Sequence, residues 1–282
     1  MSHRTCFCLA AALALAAASA AAAEPQPQAP MPTCGAPPAL TVIEPTLAHT
    51  AMRIEQHQPL TIVAVGSSST QGVGASDPAL NYPSRLEAEL KERFPANEIR
   101  VVNRGKGGQD VGEELGRLGS EVVAEHPDLV IWQVGTNAVL RRDDLVVDGD
   151  LIRQGIDLLK PSGADIILMD LQYAPRVLQR PAYPEMERLI ANAAKEERIG
   201  VFRRFEIMRY WQAQPDAPAM IGADGLHMND RGYGCLAAEL AESLAWNWWS
   251  YQHSVQHHQP VPVAGLAAQP EHIAAPSGKA TQ

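Results

Sequence analysis

Between residues 60 and 249 short apolar runs alternate with stretches whose apolar residues recur every three or four positions. Thr61-Ile62-Val63-Ala64-Val65 is largely β-branched and halts at Gly66, which predicts a buried strand. Leu86, Leu90 and Phe94 lie four apart, so Tyr82 to Phe94 reads as a helix with one apolar face. Ile99 to Val102 is a second strand, ending in the glycine-rich turn Gly105 to Gly108, and Val111 to Glu125 is helical in pattern. Leu129 to Val134 is a third strand, stopping at Gly135. A helix over Leu151 to Lys160, a strand over Asp165 to Met169, a helix over Glu185 to Arg198 and a short strand over Gly200 to Phe202 follow. Tyr233, Leu236, Leu240, Leu244 and Trp248 then repeat at helical spacing in a closing helix.

Five apolar strands separated by amphipathic helices predict an α/β domain, a mostly parallel sheet covered by helices on both faces. Ligands of such sheets sit beyond the carboxyl ends of the strands, where the strand order reverses. The chemistry is therefore expected in the residues that follow each strand.

The ends read differently. Residues 1–23 combine a short polar head with His3 and Arg4, an apolar run from Cys6 to about Ala18, and an alanine-rich close, the pattern of a secretory signal peptide. Residues 24–44 are rich in Pro, Ala and Gln and read as a linker, leaving a domain over 45–249. From residue 250 to 282 the sequence is a His-, Gln- and Pro-rich tail, expected to be disordered; His253, His257 and His258 lack a second ligand cluster, so no metal is expected there. The expected location is the periplasm or the exterior, with no membrane span once the leader is gone.

Loss of the leader takes the net charge from −9 to −10 by removing Arg4, and leaves Cys34 and Cys235 of four cysteines. Net acidity without basic blocks excludes a nucleic-acid partner. The two cysteines admit two readings: a disulfide of an exported protein, or, for Cys235, a small buried apolar residue on a helix.

Four segments stand where the sheet argument directs attention: Gly66-Ser67-Ser68-Ser69-Thr70, Asn103 to Gly108, Gly135-Thr136-Asn137, and Asp224-Gly225-Leu226-His227. Singly each suits a turn or a helix cap. Jointly they hold a serine at a helix start, a histidine with a carboxylate three residues before it, and glycine and asparagine donors for an oxyanion. There is no Gly-x-Ser-x-Gly elbow and no Walker loop, and Gly72-Val73-Gly74 lacks the third glycine of a dinucleotide fingerprint and instead suits a pocket rim.

In these four ordered blocks, over about 60–245, the chain resembles the SGNH (GDSL-type) hydrolase family. The resemblance implies a three-layer α/β/α flavodoxin-like fold and ester hydrolysis without metal or cofactor. It makes Ser68 the nucleophile, Asp224 and His227 its relay, and Ser68, Gly108 and Asn137 the oxyanion hole. The first block departs from the family's Gly-Asp-Ser, with Ser67 in place of Asp, which leaves Ser67 and Ser69 as competitors for the nucleophile. Gln172 and Tyr173, after the fourth strand, are expected to border the substrate, as are Arg104 and Arg141. The reaction expected is hydrolysis of short acyl or acetyl esters, carbohydrate acetates included. A lysophospholipase or thioesterase is the nearest alternative, and a non-hydrolytic polysaccharide-binding protein or an O-acetyltransferase is a third. The partner is a small-molecule or glycan ester.

Overall fold

The computed structural model describes residues 34–257; the leader, the first part of the linker and the tail beyond 257 lie outside the described residues. The sheet has five strands, β1 (Leu60–Gly66), β2 (Ile99–Gly105), β3 (Leu129–Gln133), β4 (Asp165–Met169) and β5 (Gly200–Phe202), in the order β2-β1-β3-β4-β5. Every pairing is parallel. The order reverses at β1, whose chain crosses one way to β2 and then back to β3 on its other side.

Alternation along the strands sorts the side chains into two cores. Ile62 and Ala64 of β1 and Leu129 and Ile131 of β3 face one layer, formed by α2 (Ala48–Glu55), α4 (Tyr82–Arg93), α10 (Arg204–Gln212) and α11 (Asp230–His257). Val63, Val65, Val130 and Trp132 face the other, formed by α5 (Val111–Arg117), α7 (Leu145–Leu159) and α9 (Tyr183–Glu197). The three-layer arrangement expected from the sequence is the one observed. The short helices α1 (Pro38–Thr41), α3 (Ser68–Gln71), α6 (Thr136–Arg141) and α8 (Pro175–Leu178) sit in the connections. The helix expected over Val111 to Glu125 changes winding, with a π turn over Leu118–Val122 and a 3-10 turn over Val123–Glu125. Helices α2 and α10 went unforeseen.

The indole of Trp132 fixes how closely α7 approaches the sheet. A Cβ on Gly155 would lie 2.1 Å from Trp132 Cη2, so only glycine fits there. On the same indole, Nε1 donates to Glu114 Oε2 at 2.8 Å, and burial pushes the Glu114 carboxyl up to about 8.

Both domain edges differ from expectation. Part of the linker is packed structure: Cys34 is disulfide-bonded to Cys235, Ala36 N–H donates to Glu239, and Ile43 is buried. Asn247 binds the same segment at both ends, accepting from Leu47 N–H and donating to the Ile43 carbonyl at 3.0 Å. At the other edge, α11 runs to His257, past the boundary at 249. Side-chain contacts continue past that boundary: Gln252 donates to Glu55, which also accepts from Trp248, and the Trp249 and His253 rings lie with centroids 3.8 Å apart.

Glu114 gives this fold a pH dependence. Its folded-state pKa lies above the unfolded value, so the stability it contributes is present below about pH 4.5 and is lost as pH rises through about 8. Glu114→Gln keeps a hydrogen-bonding side chain without the proton. Thermal melts from pH 5 to pH 9 should therefore show wild type losing more stability than the variant across that range; parallel curves would refute the assignment.

Candidate active site

The site forms at the carboxyl edge of β1, β2 and β3, on either side of the reversal in strand order. Gly66 closes β1 with φ +154°, where a Cβ would lie 2.5 Å from Thr70 Oγ1 and 2.9 Å from Gln133 Cβ. That crowding explains the glycine. The chain then turns into α3, and the three serines diverge. Ser67 is buried, its N–H and hydroxyl donating to Gln133 Oε1 at 3.0 and 3.1 Å. Ser69 is buried as well. Ser68 alone is half-buried, and its hydroxyl donates to His227 Nε2 at 2.9 Å. Of the three hydroxyls, that of Ser68 is the one bonded to the imidazole, whereas that of Ser67 is bonded to Gln133.

His227 is held from behind. Its Nδ1–H donates to Asp224 Oδ2, while Asp224 Oδ1 accepts the N–H groups of Leu226 and His227 at 3.0 Å each. Burial acts to raise the Asp224 carboxyl, but those bonds and the imidazole outweigh it and hold the group below the usual carboxylate range. The loop is a short hairpin: Ile221 bridges Met228, Gly222 N–H donates to the His227 carbonyl, and Arg176 N–H donates to Gly225. Gly74 lies against it, since a Cβ there would fall 2.3 Å from the Met228 carbonyl and 3.1 Å from His227 Cβ. The Gly72-Val73-Gly74 segment is thus part of the wall beside His227.

The loop after β2 lies directly over Ser68. A Cβ on Gly105 would sit 2.1 Å from Gln71 N, and one on Gly107 would sit 3.8 Å from Ser68 Cβ. Gly108 has φ +83°. Its carbonyl accepts from Arg141, which also pairs with Asp110. Asn137, on the first turn of α6, donates its amide to the Gln109 carbonyl at 2.7 Å, tying the loops after β2 and β3 together. Gly108 and Asn137 are therefore joined at the same edge as Ser68.

Three polar residues in this frame escaped sequence reasoning. Gln133 accepts from Ser67 and, at 3.4 Å, from Thr70. Arg117 is buried and donates to the Gly66 carbonyl, the Arg104 carbonyl and Gln109 Oε1. Tyr233 donates to the Val73 carbonyl at 2.7 Å. A polar residue closing an apolar strand, as Gln133 does, was the one readable signal.

Two expectations about the substrate border need correcting. Gln172 is buried and accepts from Thr136 and Arg204, both at 2.9 Å, so it braces α6 from beneath instead of lining a pocket. Arg104 turns away to Glu125 and the Glu121 carbonyl. Tyr173 does border a cavity, of about 560 Å³. A larger groove of about 1020 Å³ runs between α9 and the Glu44–Thr46 segment and includes none of Ser68, Asp224 or His227.

Comparison with known proteins agrees with this architecture. The model of the non-GDSL lipase-like family matches residues 33–247. An arylesterase of Vibrio mimicus is 30% identical over 165 residues, 58% of this chain and 78% of the relative. An acetylxylan esterase of Geobacillus stearothermophilus is 25% identical over 179 residues, 59% of this chain and 82% of the relative. Among solved structures, TesA superposes with a TM-score of 0.58 at 23% identity, covering 66% of this chain and 99% of its own. A two-domain esterase active on acetylated mannans superposes with the same score at 19% identity, covering 71% of this chain and 52% of its own. Fold and relatives together define the class, a carboxylic ester hydrolase. The chain belongs to the non-GDSL lipase-like family, which is the SGNH-like grouping the four blocks implied.

The frame around Ser67 can be tested apart from catalysis. Gln133→Leu leaves the Ser67 donors and Thr70 buried without their acceptor, which should cost roughly 1–3 kcal/mol. Urea denaturation measures it, and an unchanged midpoint would show that the network contributes nothing.

Proposed function

We propose that the protein is a serine hydrolase of short acyl esters, acetyl groups on carbohydrates included, acting through an acyl-enzyme on Ser68. One observation carries this reading: Ser68 Oγ, His227 and Asp224 form a continuous hydrogen-bonded chain between residues 159 apart in sequence. His227 Nε2 takes the hydroxyl proton as Ser68 Oγ attacks the ester carbonyl. Asp224 keeps the proton on Nδ1 and stabilises the imidazolium; its lowered pKa keeps it ionised through mildly acid conditions. The tetrahedral oxyanion is held by the N–H groups of Ser68 and Gly108 and the Asn137 amide. His227 then protonates the departing alkoxide, and a water deprotonated by His227 releases the acyl group, restoring the Ser68 hydroxyl.

Within this scheme Gly-Ser-Ser serves as a working form of the first block, because Ser67 faces Gln133 and leaves the imidazole to Ser68. The arylesterase and acetylxylan esterase among the relatives support small acetyl esters as substrates. The leader-like residues 1–23 and the Cys34–Cys235 bond support export, since disulfides persist in oxidising compartments.

Turnover of 4-nitrophenyl acetate tests the assignment. Ser68→Ala should abolish it down to a residual background, and Asn137→Ala should lower kcat by about 10²–10³. Full activity of Ser68→Ala would remove the serine from the mechanism. A series of esters from acetyl to palmitoyl should peak at the short end; a peak at long chains would favour the lysophospholipase or thioesterase alternative.

A further inference from the structure

The cavity of about 560 Å³ beside Tyr173 has a composition that the ester-cleaving machinery does not use. It lies in the range of small-molecule sites. Pro175 and Met220 connect it to the catalytic loop. Pro175 opens α8, lines the cavity and would lie 3.7 Å from a Cβ placed on Gly225, while Met220 lies at the foot of the hairpin, its carbonyl accepting from Asn229 N–H. The aromatic wall is rigid, because the Tyr173 ring meets Phe205 edge-on at 5.1 Å.

The same cavity is also lined by Gln212, Gln214 and Asp216, all exposed. Gln214 commits its amide N–H to the Tyr210 carbonyl at 2.9 Å, which leaves its side-chain oxygen as an acceptor. Asp216 adds two more acceptor oxygens on a left-handed turn residue with φ +56°. Among the described residues, no lysine, arginine or histidine lines the cavity. A phosphate or carboxylate ligand would therefore meet an acidic wall and no cation. A long acyl chain would leave the amides and the carboxylate facing hydrocarbon, at the cost of their hydration. What fits is a neutral ring with apolar C–H faces and a rim of hydroxyl donors.

The geometry points to a sugar-binding subsite: Tyr173, Pro175 and Met220 receive the face of a pyranose, and Gln212, Gln214 and Asp216 accept its hydroxyls. This inference rests on the ester-hydrolase reading and adds the alcohol side of the substrate. A glycan seated here reaches the catalytic hairpin through Pro175 and Met220, so the site selects among acetate esters by their alcohol.

The test compares two substrates on the same enzyme preparation, 4-nitrophenyl acetate and an acetylated β-1,4-linked tetrasaccharide. The double variant Gln212→Ala/Gln214→Ala alters two exposed side chains and spares the packed aromatic wall. Its ratio of kcat/KM for the tetrasaccharide over the aryl acetate should fall about tenfold, through KM, the scale of two lost hydrogen bonds. Asp216→Asn, which keeps an acceptor, should retain most of the ratio, whereas Asp216→Ala should lower it. Titrating the unacetylated tetrasaccharide into Ser68→Ala should shift the Tyr173 ring resonances. An unchanged ratio or absent shifts would each overturn the subsite. Those results would leave the hydrolase intact, because that reading stands or falls with Ser68→Ala on the aryl ester.

Discussion

Strand β1 pairs with β2 along its whole length and with β3 over Ile62–Val65, and the site depends on that double pairing. Parallel register brings the carboxyl ends of the three strands level, so Gly66 lies opposite Gly105 and beside Gln133. The loops leaving these ends start almost in contact, and backbone packs on backbone where Gly105 meets Gln71. A side chain at Gly66 or Gly105 would push α3 off the sheet and Ser68 away from His227. The contact between Ser68 and His227 is thus set by how closely three strand ends approach, a steric condition fulfilled before any charge is considered.

Charge then fixes what sterics brings together. The carbonyls at the ends of parallel strands point into a crowded edge that water reaches poorly, and each needs a donor. Arg117 supplies two of them, to Gly66 and Arg104, and a third bond to Gln109 in the loop that bears Gly108. Arg141 grips the Gly108 carbonyl from the outside. A carbonyl held outward turns its own peptide, so these cations determine the attitude of the loop over Ser68 without touching the reacting atoms. Gln172 does the same for α6 from beneath, through Thr136.

Much of this was legible in the sequence. Five strands, their order of chemistry and the four blocks followed from β-branched runs that stop at glycines, because a strand covered on both faces admits little else. Ser68, Asp224 and His227 were readable because Asp-x-x-His places a carboxylate and an imidazole within one turn. The rest depended on direction, which local pattern does not carry. Past the end of β4, period-two alternation no longer says whether Gln172 points in or out. Arg104 and Arg117 are alike in sequence, yet one pairs at the surface with Glu125 while the other is buried. The Cys34–Cys235 bond joins positions 201 residues apart, and only tertiary structure brings proline-rich sequence onto α11. The extension of α11 to His257 was hidden because its contact partners, Gln252 and Glu55, lie on different helices.

The serine at position 67 is best understood with Gln133. Gln133 Oε1 receives three donors, the N–H and hydroxyl of Ser67 and the hydroxyl of Thr70, so its carbonyl end faces the turn. An aspartate at 67 would bring a second acceptor against that oxygen in a buried place, and ionised it would also lack a cation there. Relief would require the Gln133 amide to flip and donate, which would strip Ser67 N–H and Thr70 of their acceptor. The two residues are therefore matched: serine at 67 suits glutamine at 133 with its oxygen inward. The same match explains how the first block dispenses with a carboxylate while Ser68 keeps its bond to His227. The negative charge that the relay needs comes from Asp224, on the far side of the imidazole, where backbone N–H groups already stabilise it.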